Sequence, residues 1–474
     1  MALLARLVAP EGLGQWALVA AATNVLHALL INWTQPASVR FGREEWTRQH
    51  TLAGSWSSRW PWLLLGGTTA ILVLWVLPAT RAGEFLGLTP SWRWLVIWHF
   101  VSLWLAAEVQ SLLQATARFY ALAALPLAAT AGSLLYLWVL HARGGPTPLL
   151  MVLGGVVAAS VVVWGVALVR LLRQSRAFGR SPARDGLVRT LRYGWPMIPG
   201  FVVGYLSDWG DHLLVRWYFS NREVGLFQAA YQTGMMALTL AVPLTTLLLP
   251  RLIDQSVHEP GVEGRYVTRV FPTLMACWGF ASLPLAALLP DAFGLVFGPD
   301  FSESRALVSV LSLAIPGAAL SQMYSTLFSL QGRLEQSVGI HVIMTLTNIV
   351  GSLLLLPFLG PLGAALATAA SYLISQHLYV LAQHRHLGLP NAPILLQADL
   401  LVVIVAAMAW AHDSMMWRLV LCLVGLLVFL AHVRRSRAVD EGTLRSLLGG
   451  SGAPLTSITV RLLVRDHAPR PSGS

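Results

Sequence analysis

The chain has 474 residues, of which 56% are hydrophobic and only 11% are charged, and its mean hydropathy is +0.64. This composition excludes a soluble globular enzyme, and no nucleic-acid partner is expected although the formal net charge is +11. Apolar stretches of about 20 residues, long enough to cross the hydrocarbon core of a membrane, recur along the whole chain. We therefore predict an all-α polytopic membrane protein.

Thirteen membrane spans are predicted from the hydrophobic stretches. In chain order they lie at 14–33, 61–80, 94–113, 119–140, 149–170, 196–217, 225–250, 271–290, 305–328, 335–357, 361–382, 394–411 and 416–433. All 32 basic residues are arginines, and alternate loops together with the C-terminal tail hold 24 of them, against seven on the other side. The arginine-rich side, including the tail, is therefore predicted to face the cytoplasm.

The arginine-rich stretch 171–192 is the longest internal cytoplasmic connection, and its Gly and Pro residues are typical of a linker. It divides the predicted spans into two groups. The predicted segments are N-lobe helices at 1–170, the linker at 171–192, C-lobe helices at 193–382, two extra helices at 394–433 and a basic cytoplasmic tail at 434–474.

An internal repeat supports this division. Three pairs of similar positions stand nearly the same distance apart, namely Arg118 with Arg333, Gly145 with Gly360, and Gly14 with Gly225. The offset is 215 residues for the first two pairs and 211 for the third. Because an offset of six spans preserves orientation, the repeat predicts two parallel six-helix lobes related by an axis normal to the membrane.

The repeat also predicts a difference between the halves. In the second half a whole span precedes the sequence NREVG, whereas only MALLARLVA precedes the matching PEGLG in the first half. The first lobe is therefore expected to lack most of its opening helix. A late start codon and a true truncation both account for this expectation.

Ionisable residues at membrane depth are costly and usually face a protein interior or a water-filled cavity. Glu108 lies midway along its span, and two interpretations stay open: a carboxylate satisfied by a neighbouring helix, or one that lines a cavity or exchanges protons. Asp208, Asp211, His212 and Arg216 fall on an arc of about 140° of one helix. For these four we favour a cavity over a purely structural ion pair.

Arginines near the ends of spans suggest an anionic substrate, because a guanidinium matches phosphate or pyrophosphate in a bidentate manner. Arg118 and Arg333 close equivalent helices on the predicted cytoplasmic side, where a head group made in the cytoplasm would enter. Arg216 lies near the opposite end. Alternatively, Arg118 and Arg333 only set the orientation of the protein in the membrane by their positive charge. Arg216 would then only extend its side chain to the membrane surface.

No enzyme signature is present in the sequence. There is no nucleophile elbow, no phosphate-binding loop and no metal-ligand spacing, and the two cysteines, Cys277 and Cys422, lie in apolar stretches. The predicted outward loops are too short to form a catalytic domain. Transport or scaffolding remains as the predicted function, without catalytic residues, a metal or a resident cofactor.

The sequence resembles the polysaccharide flippases, which translocate O-antigen and capsule repeat units, of the multidrug/oligosaccharidyl-lipid/polysaccharide exporter superfamily. The similar stretches are ARLVAPEGLGQWAL (5–18), YGWPMIPG (193–200) followed by Asp211, EVGLFQAAYQTG (223–234), LPDAFGLVFGPDFSESRALVSVLSL (289–313), and Asn348 followed by PFLGPLGAALATAAS (357–371). The last two are the most specific, and the similarity extends over about residues 5–380.

The resemblance implies two six-helix lobes around a cationic, V-shaped cavity in the cell membrane, with Asp211 at the family's usual acidic position. It also implies that lipid-linked glycans on polyprenyl diphosphate cross the membrane by alternating access, with H⁺ or Na⁺ as the coupling ion. A polysaccharide polymerase and glycosyltransferases are candidate partners. The alternatives are a drug antiporter of the same superfamily, a lipid II flippase and a non-transporting scaffold for glycosyltransferases.

Overall fold

The computed structural model describes residues 2–143, 148–177, 184–239, 261–388 and 392–447. Over these ranges the chain is almost entirely helical and contains no strand, which confirms the predicted all-α class. The chain divides into two compact units, Met1–Ala229 and Ala230–Ser474. Each unit is described by itself below.

Within the described residues, the helices of the first unit are numbered here in chain order. They are α1 (Ala2–Leu30), α2 (Gln35–Gln49), α3 (Ala53–Val76), α4 (Arg81–Phe85), α5 (Arg93–Ala115), α6 (Phe119–Arg143), α7 (Leu149–Gln174), α8 (Arg184–Gly194), α9 (Ile198–Tyr218) and α10 (Asn221–Thr239), whose last residues belong to the second unit.

The second unit continues this numbering over its described residues. Its helices are α11 (Val262–Arg265), α12 (Phe271–Phe297), α13 (Ser304–Leu311), α14 (Ala314–Leu330), α15 (Leu334–Leu359), α16 (Pro361–Leu387), α17 (Ala392–Trp410), α18 (Met415–Ser436) and α19 (Glu441–Leu447). A π-helical turn, Tyr266–Val270, connects α11 to α12.

Each predicted membrane span coincides with a helix over the residues that the structure describes. Ten helical segments within these ranges are long and apolar enough to cross a membrane. Helices α9, α10 and α16 account for the three other predicted spans and are more polar. The protein is therefore a multi-span membrane protein built from helices.

Helix α1 begins earlier than the predicted span at 14–33. The residues before Ala9 are already helical, and a break at Ala9, with φ 55° and ψ 176°, separates them from the longer part of the helix. Pro10 follows this break directly. Proline is favoured in the first turn of a helix, because it lacks an N–H that would find no partner there.

Helix α5 lies at the centre of the first unit and packs against α1, α2, α3, α6 and α7. Its buried side chains Val109 and Leu112 meet Trp164 and Leu171 of α7 in one cluster. Lipid tails are as apolar as these side chains, so helix association inside a membrane depends on close packing and internal hydrogen bonds. This packing fixes the direction in which the polar side chains of α5 point.

Helix α12 has the corresponding central place in the second unit, where it packs against α14, α17 and α18. An ion pair between Arg418 of α18 and Asp291 joins α18 to α12, and Arg418 Nε also donates to Ala287 O over 3.1 Å. Arg418 is buried. The last membrane-spanning helix is thus fastened to the centre of its unit by a charged side chain.

The stretch 357–371 contains the tight hairpin between α15 and α16. Gly360 turns the chain with φ 60°, and a Cβ at Gly363 would lie 2.6 Å from the backbone carbonyl group of Leu355. Thr368 donates to the Asn348 side chain over 3.3 Å across the hairpin. These contacts explain the spacing of Asn, Gly and Thr that the sequence shows.

The division between the compact units falls after Ala229, beyond the predicted linker at 171–192. Part of that linker is helical, since α7 ends at Gln174 and α8 begins at Arg184. The predicted lobes, the repeat and the basic tail stay predictions. Several stretches used in them lie outside the described residues, namely Gly145, 178–183, 240–250, 389–391 and 448–474.

Candidate functional site

A buried ion pair joins α3 and α5 inside the first unit. Arg59 Nη2 donates to Glu108 Oε1 over 2.8 Å, and each residue is only 1% exposed. Arg59 also donates from Nη1 to Ser111 Oγ (3.1 Å) and from Nε to Thr34 Oγ1 (2.9 Å). The guanidinium is thereby held in one orientation by three hydrogen bonds to two other segments of the chain, the turn at Thr34 and α5, as the burial of a charge requires.

A pocket of about 500 Å³ that is lined by both polar and apolar side chains, here named the polar pocket for its arginine and glutamines, lies beside this pair in the first unit. The side of α5 that carries Gln110, Ser111 and Gln114 lines it, together with Arg40 of α2 and Tyr193 of α8. The Arg40 guanidinium stacks over the Tyr193 ring at 5.0 Å from the centroid. Because Ser111 both lines the pocket and accepts from Arg59, the pocket reaches the buried ion pair.

A second pocket, of about 480 Å³, opens on another side of the same helix and is apolar. Its lining includes Trp60 and Leu64 of α3 with Trp104 and Leu105 of α5, and Glu108 also contributes to it. Helix α5 therefore presents a polar pocket on one side and an apolar groove on another. The Arg59–Glu108 pair lies between α3 and α5, where the two meet.

The acidic residues of α9 have different environments. Asp211 and His212 are both 1% exposed, whereas Asp208 is exposed. The His212 ring lies 5.3 Å from the Trp209 ring and 5.1 Å from the Phe227 ring of α10, centroid to centroid. Asp208 and Asp211 were predicted to share one face, and burial separates them.

Arg216 fastens the end of α9 to the short helix α4. Its Nε donates to Phe85 O over 2.8 Å, and Nη1 donates to Phe219 O over 3.1 Å. The guanidinium also lies 5.8 Å from the centre of the Phe85 ring. Its described contacts are thus with backbone carbonyls and an aromatic ring.

Arg118 follows a helix end in which Ala117 adopts φ 54° and the Arg118 N–H donates to Leu113 O over 2.9 Å. The Arg118 side chain donates to Gln174, in the last turn of α7, and its guanidinium lies 6.0 Å from the centre of the Trp46 ring. Arg118 therefore ties α2, α5 and α7 together.

Arg333 of the second unit is held by a turn of the same form as that of Arg118. Gly332 has φ 69°, and the Arg333 N–H donates to Phe328 O over 2.9 Å. The side chain donates to Gln383 Oε1 (2.9 Å), near the end of α16, and lies 4.4 Å from the centre of the Phe328 ring. The backbone turn and glutamine partner of Arg333 thus resemble those of Arg118, but its aromatic neighbour Phe328 belongs to the helix that Arg333 follows, whereas Trp46 belongs to α2.

Two glycines that the repeat predicts to be equivalent touch each other. A Cβ at Gly14 would lie 1.8 Å from Asn221 O, and a Cβ at Gly225 would lie 1.7 Å from Pro10 O. Each of these Cβ atoms would also lie 2.8 Å from the backbone N of the other glycine. Pro10 and Asn221 each precede their glycine by four residues, so the contact of α1 with α10 is reciprocal, as a local two-fold relation produces.

The structure brings only part of the predicted site together. Asp211 and His212 are neighbours in one buried cluster, but Arg118, Arg216 and Glu108 each have partners of their own, and Arg333 belongs to the other unit. Their roles in a site stay predictions. Among the described residues no group of three or more His, Cys, Asp or Glu side chains is placed to hold a metal ion.

Sequence reasoning missed Arg59 and Arg40, which it assigned to cytoplasmic loops. The predicted span began at residue 61, whereas α3 begins at Ala53. The available signal was the lone carboxylate of Glu108, because a buried charge needs a partner of opposite sign.

Comparison with known proteins identifies the family. The family described as "Polysaccharide biosynthesis protein" matches residues 1–255, more than half of the chain. The "Probable flippase AglR" of Haloferax volcanii is 24% identical over 235 residues, 48% of each chain. The "Capsular polysaccharide biosynthesis protein CapF" of Staphylococcus aureus is 22% identical over 38% of this chain and 46% of its own. The chain thus spans about half the length of these relatives.

The fold is similar to that of solved exporters. The lipid II flippase MurJ, in an inward closed conformation, superimposes with a TM-score of 0.62 at 16% identity, over 89% of this chain and 96% of its own. An inward-facing multidrug resistance MATE family transporter gives a TM-score of 0.59 at 13% identity, over 85% and 93%. With the family match, these similarities confirm the resemblance found in the sequence: the chain belongs to the family described as "Polysaccharide biosynthesis protein", and its fold is similar to that of MurJ and of the MATE transporter.

Proposed function

We propose that this protein is a flippase that moves an oligosaccharide linked to polyprenyl diphosphate across the cell membrane for surface polysaccharide biosynthesis. This proposal rests on the two pockets beside α5. One has polar as well as apolar side chains in its lining, among them the exposed Arg40, and the other is almost wholly apolar and is lined by tryptophan and leucine side chains. A lipid diphosphate has both an anionic head group and a long apolar tail, so it matches both surfaces.

The head group would bind in the polar pocket of the first unit. Arg40 supplies a bidentate donor for a diphosphate, and Gln110 and Gln114 supply amides for sugar hydroxyls. The buried charge of Arg59 is neutralised by Glu108, so its role is to hold Ser111 and the α3–α5 contact in place. The tail would lie in the groove beside Trp60 and Trp104.

Transport by alternating access without covalent chemistry accounts for these features, and no catalytic residue is assigned. We place the protein in the cytoplasmic membrane with its C-terminal tail in the cytoplasm, on the basis of the arginine distribution. A polymerase and glycosyltransferases are the proposed partners, because they would consume and supply the lipid-linked glycan.

The experiment is complementation of a strain that lacks its own copy of this gene. Arg40→Ala is expected to reduce glycan on the cell surface at least about tenfold, the loss produced by about 1.4 kcal/mol, and to leave lipid-linked glycan in the inner leaflet. Arg81→Ala, at the exposed start of α4, is the matched control and should restore surface glycan fully. Full surface glycan with Arg40→Ala at equal expression would refute the assigned site.

The structural similarity to MurJ favours lipid II as a second candidate substrate, since it is also a lipid diphosphate. The same strain separates the two. Loss of peptidoglycan synthesis with intact surface polysaccharide would assign lipid II, and resistance to cationic dyes without either defect would assign drug export. Unchanged inner-leaflet glycan in the knockout, with loss of glycosyltransferase recruitment, would assign a scaffold.

A further inference from the structure

A histidine and an aspartate meet between α16 and α17 of the second unit. His377 Nε2 lies 3.3 Å from Asp399 Oδ2, and Gln376 Nε2 donates to Asp399 Oδ1 over 2.9 Å. Asp399 lies about a third of the way along the candidate membrane span Pro393–Trp410. An ionisable pair at this depth is costly and usually serves a function. Neither residue belongs to the two pockets beside α5.

The hydrogen bonds of His377 determine where its protons can be. Its Nδ1 lies 2.8 Å from Leu373 O. A carbonyl oxygen only accepts, so Nδ1 carries a proton. At Nε2 two arrangements remain: Nε2 is protonated and donates to the Asp399 carboxylate, or it is unprotonated and accepts from a protonated Asp399. Both arrangements contain one shared proton.

From this geometry we infer that Asp399 and His377 form a proton-binding site that controls the contact between α16 and α17. With the shared proton the pair is neutral overall and its contact is attractive. Without it, the lone pair of Nε2 faces a carboxylate anion, and the pair carries one negative charge inside the membrane. Binding a proton would close the contact, and releasing it would loosen α16 from α17.

The environment of the pair is consistent with the binding and release of a proton by His377 and Asp399. The side chains of His377 and Asp399 are 45% and 41% exposed, so the protein does not enclose them. Among the described residues, the polar side-chain contacts of Asp399 are those with Gln376 and His377.

Nine other titratable side chains lie within α16 and the helices packed against the pair. Asp291 and Arg418 bind each other, Tyr324 lies against Phe271, and His341 lies against Tyr379. Tyr372 belongs to α16, Cys277 to α12, and Cys422 and His432 to α18. The further charged residues of these helices stand near the helix ends. The pair is therefore treated as one titrating unit.

This inference rests on the proposed function in one respect, since it supplies the step that a proton gradient would drive in such a flippase. Helix α18 is fastened to α12 by Arg418, and α17 packs against both. Loosening the pair would therefore weaken the contact of α16 with α17, while α17 and α18 stay with α12.

The test uses full-length protein in lipid nanodiscs with isotope-labelled histidine, followed by NMR between about pH 5 and pH 8, a range that brackets ordinary histidine titration. His377→Gln identifies the His377 signal. Asp399→Asn is expected to change the pH dependence of the His377 signal, because it removes the carboxylate that faces Nε2. His386→Gln, near the end of α16, identifies a control histidine whose titration Asp399→Asn should leave unchanged. Identical His377 titration in wild type and Asp399→Asn would overturn the inference.

The second measurement follows the helices themselves. Spin labels at exposed Leu381 of α16 and Leu396 of α17 should show a distance that changes with pH in wild type and stays constant in Asp399→Asn. A constant distance in wild type would overturn the control of the contact. Neither measurement needs a glycan. Loss of the glycan function would leave both results intact, and glycan transport without the proton effect would overturn this inference alone.

Discussion

Arg59 Nη2 and Glu108 Oε1 lie 2.8 Å apart, although 49 residues separate them in the chain, and both side chains are fully enclosed. A hydrogen-bonded pair of this kind tolerates the removal of both charges far better than the removal of one. The asymmetry arises because a single remaining charge is buried without a partner. Comparison of a single variant with a double variant therefore tests the structural role of the pair separately from any role in transport.

Glu108→Ala should therefore destabilise the protein by about 3–5 kcal/mol, the cost of leaving the Arg59 guanidinium buried and unpaired. The measurement is thermal unfolding of the detergent-solubilised protein. The double variant Arg59→Met with Glu108→Leu replaces the pair by apolar side chains of similar size, and it should unfold near the wild-type temperature. Equal stability of Glu108→Ala and wild type would show that the pair does not hold α3 to α5.

The membrane helices could be predicted from sequence because the hydrocarbon layer allows few solutions. A stretch of about 20 apolar residues must satisfy its backbone hydrogen bonds internally, and a helix does so. Helices α2 and α8 were not predicted, since their polar sequences resemble loops. They are held instead by tertiary contacts: a Cβ at Gly186 of α8 would lie 2.8 Å from the Ser58 side chain, and Trp62 Nε1 donates to Leu187 O.

The candidate site was less predictable because its members meet across helices. Helical periodicity puts Asp208 and Asp211 within about 60° of each other, but only the neighbouring Trp209 and Phe227 side chains show which part of α9 is buried. In the same way, nothing near Arg59 in the sequence indicates Glu108. The turns at Arg118 and Arg333 were easier to predict, because a similar backbone turn forms at two places where the sequence is similar.

The reciprocal glycine contact gives a second prediction. Gly14→Ala and Gly225→Ala each place a Cβ less than 2 Å from a backbone oxygen, so each should destabilise the protein by about 3 kcal/mol or more. Gly200→Ala and Gly204→Ala in α9 are the controls, since nothing lies within 4 Å of their Cβ positions. The fraction of protein that stays monodisperse after heating measures the difference. If all four variants behave alike, α1 and α10 do not pack in this way.

The two equivalent turns predict effects of opposite sign. Ala117 has a positive φ of 54°, which strains a residue with a Cβ, so Ala117→Gly should stabilise the protein by up to about 1 kcal/mol. Gly332 has the same conformation with open space around it, and Gly332→Ala should destabilise by a similar amount through backbone strain alone. Thermal unfolding measures both. Shifts in the same direction would show that the two turns are not equivalent.

The burial of Asp211 predicts that it matters more for transport than its exposed neighbour. Asp211→Asn keeps the size of the side chain and removes its charge, and we expect surface glycan to fall at least about tenfold in the complementation assay at equal expression. Asp208→Asn, one turn earlier, should have a smaller effect because that side chain is exposed rather than enclosed by its neighbours. Asp413→Asn, whose side chain is 93% exposed, should restore surface glycan fully and controls for the loss of a charge. Equal defects in the Asp208 and Asp211 variants would show that the burial of Asp211 has no part in its function.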